Sequence, residues 1–230
     1  MMSKQGLFIP FNRFYNNFKM DDSIKFDTQA DRKTRWGGFL ENPFISNFQR
    51  GMLDSGRLSG LKKALRLYAF RNVLDVGCGF GESSKIHTGM FFGLDNSIRR
   101  ISYATQKYKE AYFLLGDAHY LPVKSKSFDM VILSNTSHHL SDDQFKKVFS
   151  EMKRVSSRYI IINDAVIRED QGRIRSFFYQ LDRGGHYRKT EYLRQIILSE
   201  GRESVSIEKE ACFWTFPGIY YRTVFICKIQ

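Results

Sequence analysis

The 230-residue sequence predicts an open, doubly wound α/β fold with a mostly parallel seven-stranded sheet, its last strand antiparallel, and a helical or irregular N-terminal cap. Three observations predict it. Short apolar runs alternate with amphipathic stretches from Asn72 to Asp164, a glycine-rich turn follows the first run directly, and two longer β-type runs close the chain around Thr215-Phe216-Pro217-Gly218.

The elements follow in order. Residues 1–50 carry many aromatics (Phe8, Phe11, Phe14, Tyr15, Phe18, Trp36, Phe48) without a helical or strand period, and read as a cap that packs on the main domain or folds over a ligand. From Gly51 to Phe70, Leu58, Leu61, Ala64 and Leu65 recur at helical spacing. Asn72–Val76 is a short apolar strand, Glu82–Thr88 a short helix, Met90–Leu94 a strand, Ser97–Tyr108 a helix, and Ala111–Gly116 and Phe128–Ser134 strands. Asp142–Val155 is a helix with Phe145, Val148, Phe149 and Met152 on one face. Tyr159–Asp164 is a further strand, then come helical stretches to about Tyr179 and over Thr190–Glu200, and strands over Ser204–Phe213 and Tyr220–Ile229. One main domain over residues 51–230 is expected, with its ligand-binding core in 71–164.

Composition narrows the class. With 26% charged, 15% aromatic and four prolines the chain is far from disordered or collagen-like sequences. No run approaches the roughly 18 apolar residues of a membrane span, and no apolar leader stands at the N-terminus, so a cytoplasmic protein is expected. Cys78, Cys212 and Cys227 form no C-x-x-C pair and read as reduced thiols, with neither a disulfide framework nor a metal cluster. The formal charge is +12, and residues 1–70 hold +6 of it. Such a surplus suits nucleic acid, an anionic surface or an acidic small molecule, and does not by itself specify an activity.

The chemistry is concentrated at strand ends. Val73-Leu74-Asp75-Val76-Gly77-Cys78-Gly79-Phe80-Gly81 sets a carboxylate at the end of the first strand and three glycines at alternate positions after it. A dinucleotide loop would be G-x-G-x-x-G. Here the third glycine comes one residue early and Glu82 holds the sixth position, which disfavours a pyrophosphate. A carboxylate at Asp75 repels phosphate but suits an ammonium or a sulfonium. Asp95 ends the next strand, 20 residues after Asp75, the spacing of a ribose-binding acid. Asp117 ends the third, where it can accept a hydrogen bond from an adenine amino group.

These motifs, with Gly93-Leu94-Asp95-Asn96-Ser97, the run from Gly116-Asp117-Ala118 to Ser134-Asn135, and Thr136-Ser137-His138-His139-Leu140, resemble class I S-adenosylmethionine-dependent methyltransferases, in the small-molecule group related to ubiquinone and menaquinone biosynthesis. The resemblance covers about Arg71 to Asp164. It implies a Rossmann-like methyltransferase fold and S-adenosylmethionine as cofactor, with S-adenosylhomocysteine as product. It also implies that Gly77, Gly79 and Gly81 line the methionine part, that Asp95 holds the ribose, that Asp117 and Ala118 hold the adenine, and that Asn135 borders the amino-acid end and the methyl group. Asp75, Cys78, Asn96 and His119 are counted with this cofactor-binding set. One departure is visible: Glu82–Thr88 leaves the first helix about a turn shorter than usual.

His138 and His139 follow the fourth strand, where either is a candidate general base near neutral pH or a packed loop residue, and His139 occupies the position resembling the family's commoner histidine. Asp129, at the start of a strand, reads as structural. Residues 8–48 and 177–192 are candidate lids, the latter with Arg183, His186 and Arg188 as holders of a substrate anion or as solvated surface. The favoured expectation is methyl transfer to an O, C or N nucleophile of a small, acidic molecule by a monomer or homodimer. RNA or protein methylation through the basic N-terminal third, and a non-catalytic cofactor-binding subunit, are the alternatives.

Overall fold

The computed structural model describes residues 56–87, 89–181 and 185–230. The cap expected over 1–50, and Arg183 of the second expected lid, lie outside these residues. The described chain forms α1 (Ser59–Leu67), β1 (Asn72–Val76), β2 (Met90–Asp95), α2 (Ile98–Lys107), β3 (Tyr112–Leu115), β4 (Phe128–Ser134), α3 (Asp142–Val155), β5 (Ser156–Val166), α4 (Arg173–Leu181), α5 (Thr190–Gly201), β6 (Val205–Trp214) and β7 (Tyr221–Ile229). The seven strands lie in the order β3-β2-β1-β4-β5-β7-β6. Strands β1 to β5 pair in parallel, and β7 runs antiparallel between β5 and β6.

Alternation along the central strands builds two cores. On one face Leu74, Val76, Val131, Leu133, Ile160 and Ile162 pack with Phe145, Val148, Phe149 and Met152 of α3 and Leu193, Ile196 and Ile197 of α5. On the other, Val73, Met130, Ile132 and Ile161 meet Leu61, Ala64 and Leu65 of α1. Strand β4 is buried at all seven positions, which is why its centre, Met130–Leu133, reads as an unbroken apolar run. Each such Leu, Ile or Phe contributes about 1.5–3 kcal/mol when fully buried, so these two layers are the main stabilising term.

Helix α3 starts at a capping box: Gln144 N donates to Ser141 Oγ at 3.3 Å and Ser141 N donates to Gln144 Oε1 at 2.9 Å. Asp129 fastens the opposite, N-terminal end of the sheet. Its carboxylate accepts from Arg71 N at 2.8 Å, and its own N donates to Asn72 Oδ1 at 2.7 Å.

Three boundaries differ from expectation. Of the helix expected over Gly51–Phe70, residues 51–55 lie outside the described residues and the described part is helical over Ser59–Leu67, while Glu82–Lys85 is a single 3-10 turn. Strand β5 extends to Ser156–Val166 because β4 pairs with it at Ser156 and β7 pairs with it as far as Val166, which the apolar run Tyr159–Asp164 does not signal.

Candidate functional site

The strand order reverses between β1 and β4, and in open α/β sheets the carboxyl ends at that switch point frame the ligand crevice. A cavity of about 400 Å³ lies there, and its walls include Asp75, Gly77, Cys78, Gly79, Asp95, Asn96, Asp117, Ala118, His119, Asn135 and His139.

The glycine turn shapes one wall. Gly77 N and Cys78 N donate to Leu94 O at 2.7 and 2.9 Å, folding the turn back over β2. Gly77 has φ +73°, and a Cβ there would lie 2.5 Å from Thr136 Oγ1, so neither backbone nor space admits a side chain. At Gly79, φ +56°, a Cβ would meet nothing within 4 Å, leaving open room against the backbone. Gly81 is different: it packs against the Phe113 ring and is not part of the cavity wall.

Three carboxylates mark successive strand ends. Asp75 is buried, its Oδ2 accepts from Ser83 Oγ, and its Oδ1 has no hydrogen-bond partner. Burial pushes its carboxyl up to about 7, with nearby Asp95 adding to the shift. Asp95 accepts from Gly79 N at 2.8 Å and Ser97 N at 3.0 Å, which ties the glycine turn to the end of β2. Each carboxylate oxygen has a second lone-pair site, so these bonds leave acceptor capacity for a diol. Asp117 is half exposed and accepts from His119 N at 2.9 Å, with His119 Nδ1 2.6 Å from the same oxygen.

The segment after β4 forms the opposite wall. Asn135 sits at φ +55° and its Oδ1 accepts from the buried Arg222 of β7. Thr136 Oγ1 donates to Gly77 O at 3.2 Å, joining the two walls. The two histidines diverge. His139 faces the cavity, whereas His138 is buried, with Nδ1 2.5 Å from Asp164 Oδ1 and its ring parallel to Tyr187 at 4.8 Å. Ser137 Oγ donates to Asp164 Oδ2 at 2.5 Å, and His138 and Arg222 hold the Asp164 carboxyl far below its ordinary range despite burial.

Arg188, expected as surface or an anion holder, is buried and committed. It donates to Asp142 Oδ1 at 2.8 Å, Ser137 O at 2.8 Å and Leu140 O at 2.7 Å, clamping the loop that presents His139.

Several wall residues were not singled out from the sequence: Arg57, Glu82, Ser83, Thr136, Leu140 and Gln144. Glu82 and Ser83 follow the glycine motif directly and could have been taken with it. Arg57 carries no local signal, because its place depends on how α1 docks.

The resident cofactor implied by the glycine and carboxylate set fits these residues. The unpartnered buried oxygen of Asp75 calls for a donor, and the open Gly79 surface gives a ligand direct access to backbone. No Cys, His and carboxylate cluster that would hold a metal is found among the described residues.

Comparisons with known proteins agree with this geometry. Residues 73–158 match the family model described as a methyltransferase domain. A demethylmenaquinone methyltransferase of Thermotoga maritima is 32% identical over 92 residues, 37% of this chain and 39% of that protein. The chain thus spans about two fifths of the length of that curated relative. Among solved structures, a SAM-dependent methyltransferase of Thermotoga maritima aligns with TM-score 0.63 and 19% identity over 85% of this chain and 100% of its own. One from Aquifex aeolicus gives 0.57 and 21% over 77% and 95%. A 4+2 cyclase gives 0.61 and 15% over 76% and 81%. The chain has the fold of these solved methyltransferases, and residues 73–158 match a methyltransferase domain.

Proposed function

We propose that this protein transfers the methyl group of S-adenosylmethionine to a nucleophile on a small molecule. The observation that carries the reading is the buried, unpartnered Asp75 Oδ1 in a cavity whose walls also bring together Gly79, Asp95 and Asp117. The name of the Thermotoga maritima relative, which acts on a small-molecule acceptor, supports the acceptor class. The cyclase of like fold is the reason to require a test, since one fold hosts different reactions.

When bound, the cofactor supplies an already activated methyl on a sulfonium, so the protein's task is to align the acceptor and exclude water. Alignment alone can supply roughly 7–11 kcal/mol of a barrier. Asp75 accepts the cofactor's ammonium, Asp95 its ribose hydroxyls and Asp117 its adenine amino group. Four carboxylates on the cavity wall, Asp75, Glu82, Asp95 and Asp117, favour a ligand with two cationic centres. Asn135, steadied by Arg222, borders the reacting end, and the acceptor enters beside His139, Leu140 and Gln144. His139 takes the acceptor's proton where the nucleophile carries one, and His138 holds the loop through Asp164.

Incubation with methyl-labelled cofactor, a small-molecule metabolite extract, and total RNA and protein in parallel tests this reading. Label is expected in acid-soluble small molecules. Label confined to RNA or protein, or none in any fraction, contradicts it.

A further inference from the structure

The helices that flank the two faces of the sheet differ in charge. On one side α3 and α5 together carry five basic and five acidic residues. On the other, α1 and α2 carry six basic residues, Lys62, Lys63, Arg66, Arg99, Arg100 and Lys107, and no acidic one. Both belong to the layer over Phe91 and Phe113: Leu61, Ala64 and Leu65 of α1 pack into that core, and Ala104 of α2 closes on Gly81 together with Phe113. Lys62, Lys63, Arg66, Arg99 and Lys107 are exposed, and so is Lys85 of the 3-10 turn between the helices. The turn joins the cations into one stripe. Lys62 shares a hollow with Ile86, and Lys85 Nζ stands 5.4 Å over the Tyr108 ring, which Lys107 Nζ also covers at 5.6 Å. Glu82 and Asp95, acidic residues of the adjoining turn and strand, pair with Arg57 and Arg100. Lys62, Lys63, Arg66 and Lys85 have no carboxylate partner among the described residues.

We propose that this face, built by α1, the 3-10 turn and α2, docks on an anionic phospholipid surface. The inference stands apart from the cofactor reading. A basic face opposite a neutral one orients the molecule on a negatively charged plane, and each cation brought within a Debye length of that plane adds to the attraction. Two observations favour lipid over nucleic acid. Tyr103 and Tyr108, the rings of this face, lie under the Lys85 and Lys107 ammonium groups and pack against Phe80 and Phe113, so neither offers a bare surface on which a base could stack. Leu67 and Ile98, next to Arg66 and Arg99 in sequence, are 57% and 61% exposed, and a headgroup layer takes up such apolar side chains where a phosphate backbone does not. Arg57 and Leu58 line both the cavity and the hollow beside Lys62, so docking brings the bilayer alongside the cavity wall.

Cosedimentation of the full chain with vesicles tests this, using phosphatidylcholine alone and equal parts phosphatidylcholine and phosphatidylglycerol, with duplex RNA as a separate ligand at the same phosphate concentration. Wild type is expected to partition onto the mixed vesicles at least about tenfold more strongly than onto the neutral ones at low salt, and to lose most of that preference as salt is raised. Lys62→Glu combined with Lys63→Glu is expected to weaken binding to mixed vesicles by at least about tenfold, and the milder pair Lys62→Gln with Lys63→Gln by less. Lys146→Glu with Lys147→Glu on α3 makes the same change in net charge on the opposite side, and is expected to shift binding by less than about threefold. Equal losses in the two glutamate pairs overturn the proposal, because they mark net charge rather than this face. Equal partition onto neutral and mixed vesicles, or none onto either, also overturns it. Tighter binding to duplex RNA than to mixed vesicles assigns the face to nucleic acid and overturns it as well.

Discussion

Asp75 combines a folding cost with the binding role proposed for it. Its carboxyl is raised from 3.8 to about 7, so between those values the folded chain keeps a proton that the unfolded chain releases. Stability therefore falls as pH rises through that window and is level above it, by about 4 kcal/mol in all. Asp75→Asn is expected to raise Tm at pH 8 and leave it little changed near pH 4, while weakening cofactor binding, as scanning calorimetry and titration would show. In wild type, affinity for the ligand's ammonium is expected to rise with pH through about 7 as Asp75 ionises. It then declines above about 8, where an α-amino group loses its proton. An affinity flat from pH 6 to 9 would contradict this assignment. Much at this scale was legible: Asp75, Asp95 and Asp117 announce themselves because each sits at a strand end in a fixed local spacing. Arg57, Asp164 and Arg222 do not, since the partners that give them meaning, Glu82, His138 and Asn135, lie 25, 26 and 87 residues away.

Two loops joined to the sheet set the shape of the cavity, and each has a point of failure. In the glycine turn, Gly77→Ala places a Cβ 2.5 Å from Thr136 Oγ1 at φ +73°. Left-handed backbone costs an L-residue roughly 1–2 kcal/mol before the clash is counted. In the loop after β4, Arg188→Met removes the guanidinium donor of Leu140 O, one of the two donors of Ser137 O, and the partner of Asp142 Oδ1. The expected destabilisation is about 3 kcal/mol, with faster amide exchange confined at first to residues 137–142, readable by hydrogen exchange. Exchange unchanged across that loop would show that Arg188 does not clamp it. The sequence pattern marks helix α3 at its limits because the apolar face of Phe145, Val148, Phe149 and Met152 keeps a helical period, and the structure adds the Ser141 cap. It marks β5 too short because pairing with β4 at Ser156 and with β7 up to Val166 extends it beyond the apolar run.

For the whole molecule, the order β3-β2-β1-β4-β5-β7-β6 is what turns separate strand ends into one crevice. The parallel sheet and its reversed last strand were legible from the alternation of runs, whereas which strands adjoin was not, because strand neighbours are chosen by tertiary packing. The +12 charge is likewise a property of the whole chain, and residues 71–165, which include the carboxylate series, carry only +3 of it. A ligand that binds the folded state alone stabilises it by about 2.7 kcal/mol at a hundred times its Kd, which for a chain this size raises Tm by roughly 5–10 °C. S-adenosylhomocysteine is expected to do so in thermal denaturation, and adenosine diphosphate, whose phosphates meet the Asp75 carboxylate, is not.

On the proposed function, the crevice at the β1/β4 switch point is an S-adenosylmethionine site held by carboxylates at successive strand ends. Isothermal titration of wild type and Asp95→Ala with S-adenosylmethionine at pH 7.5 tests it most directly. Wild type is expected to bind one to one, with a loss of at least about tenfold in Asp95→Ala, the scale of removing hydrogen bonds to a charged group. No heat of binding to wild type, or equal affinity in the two proteins, would contradict it.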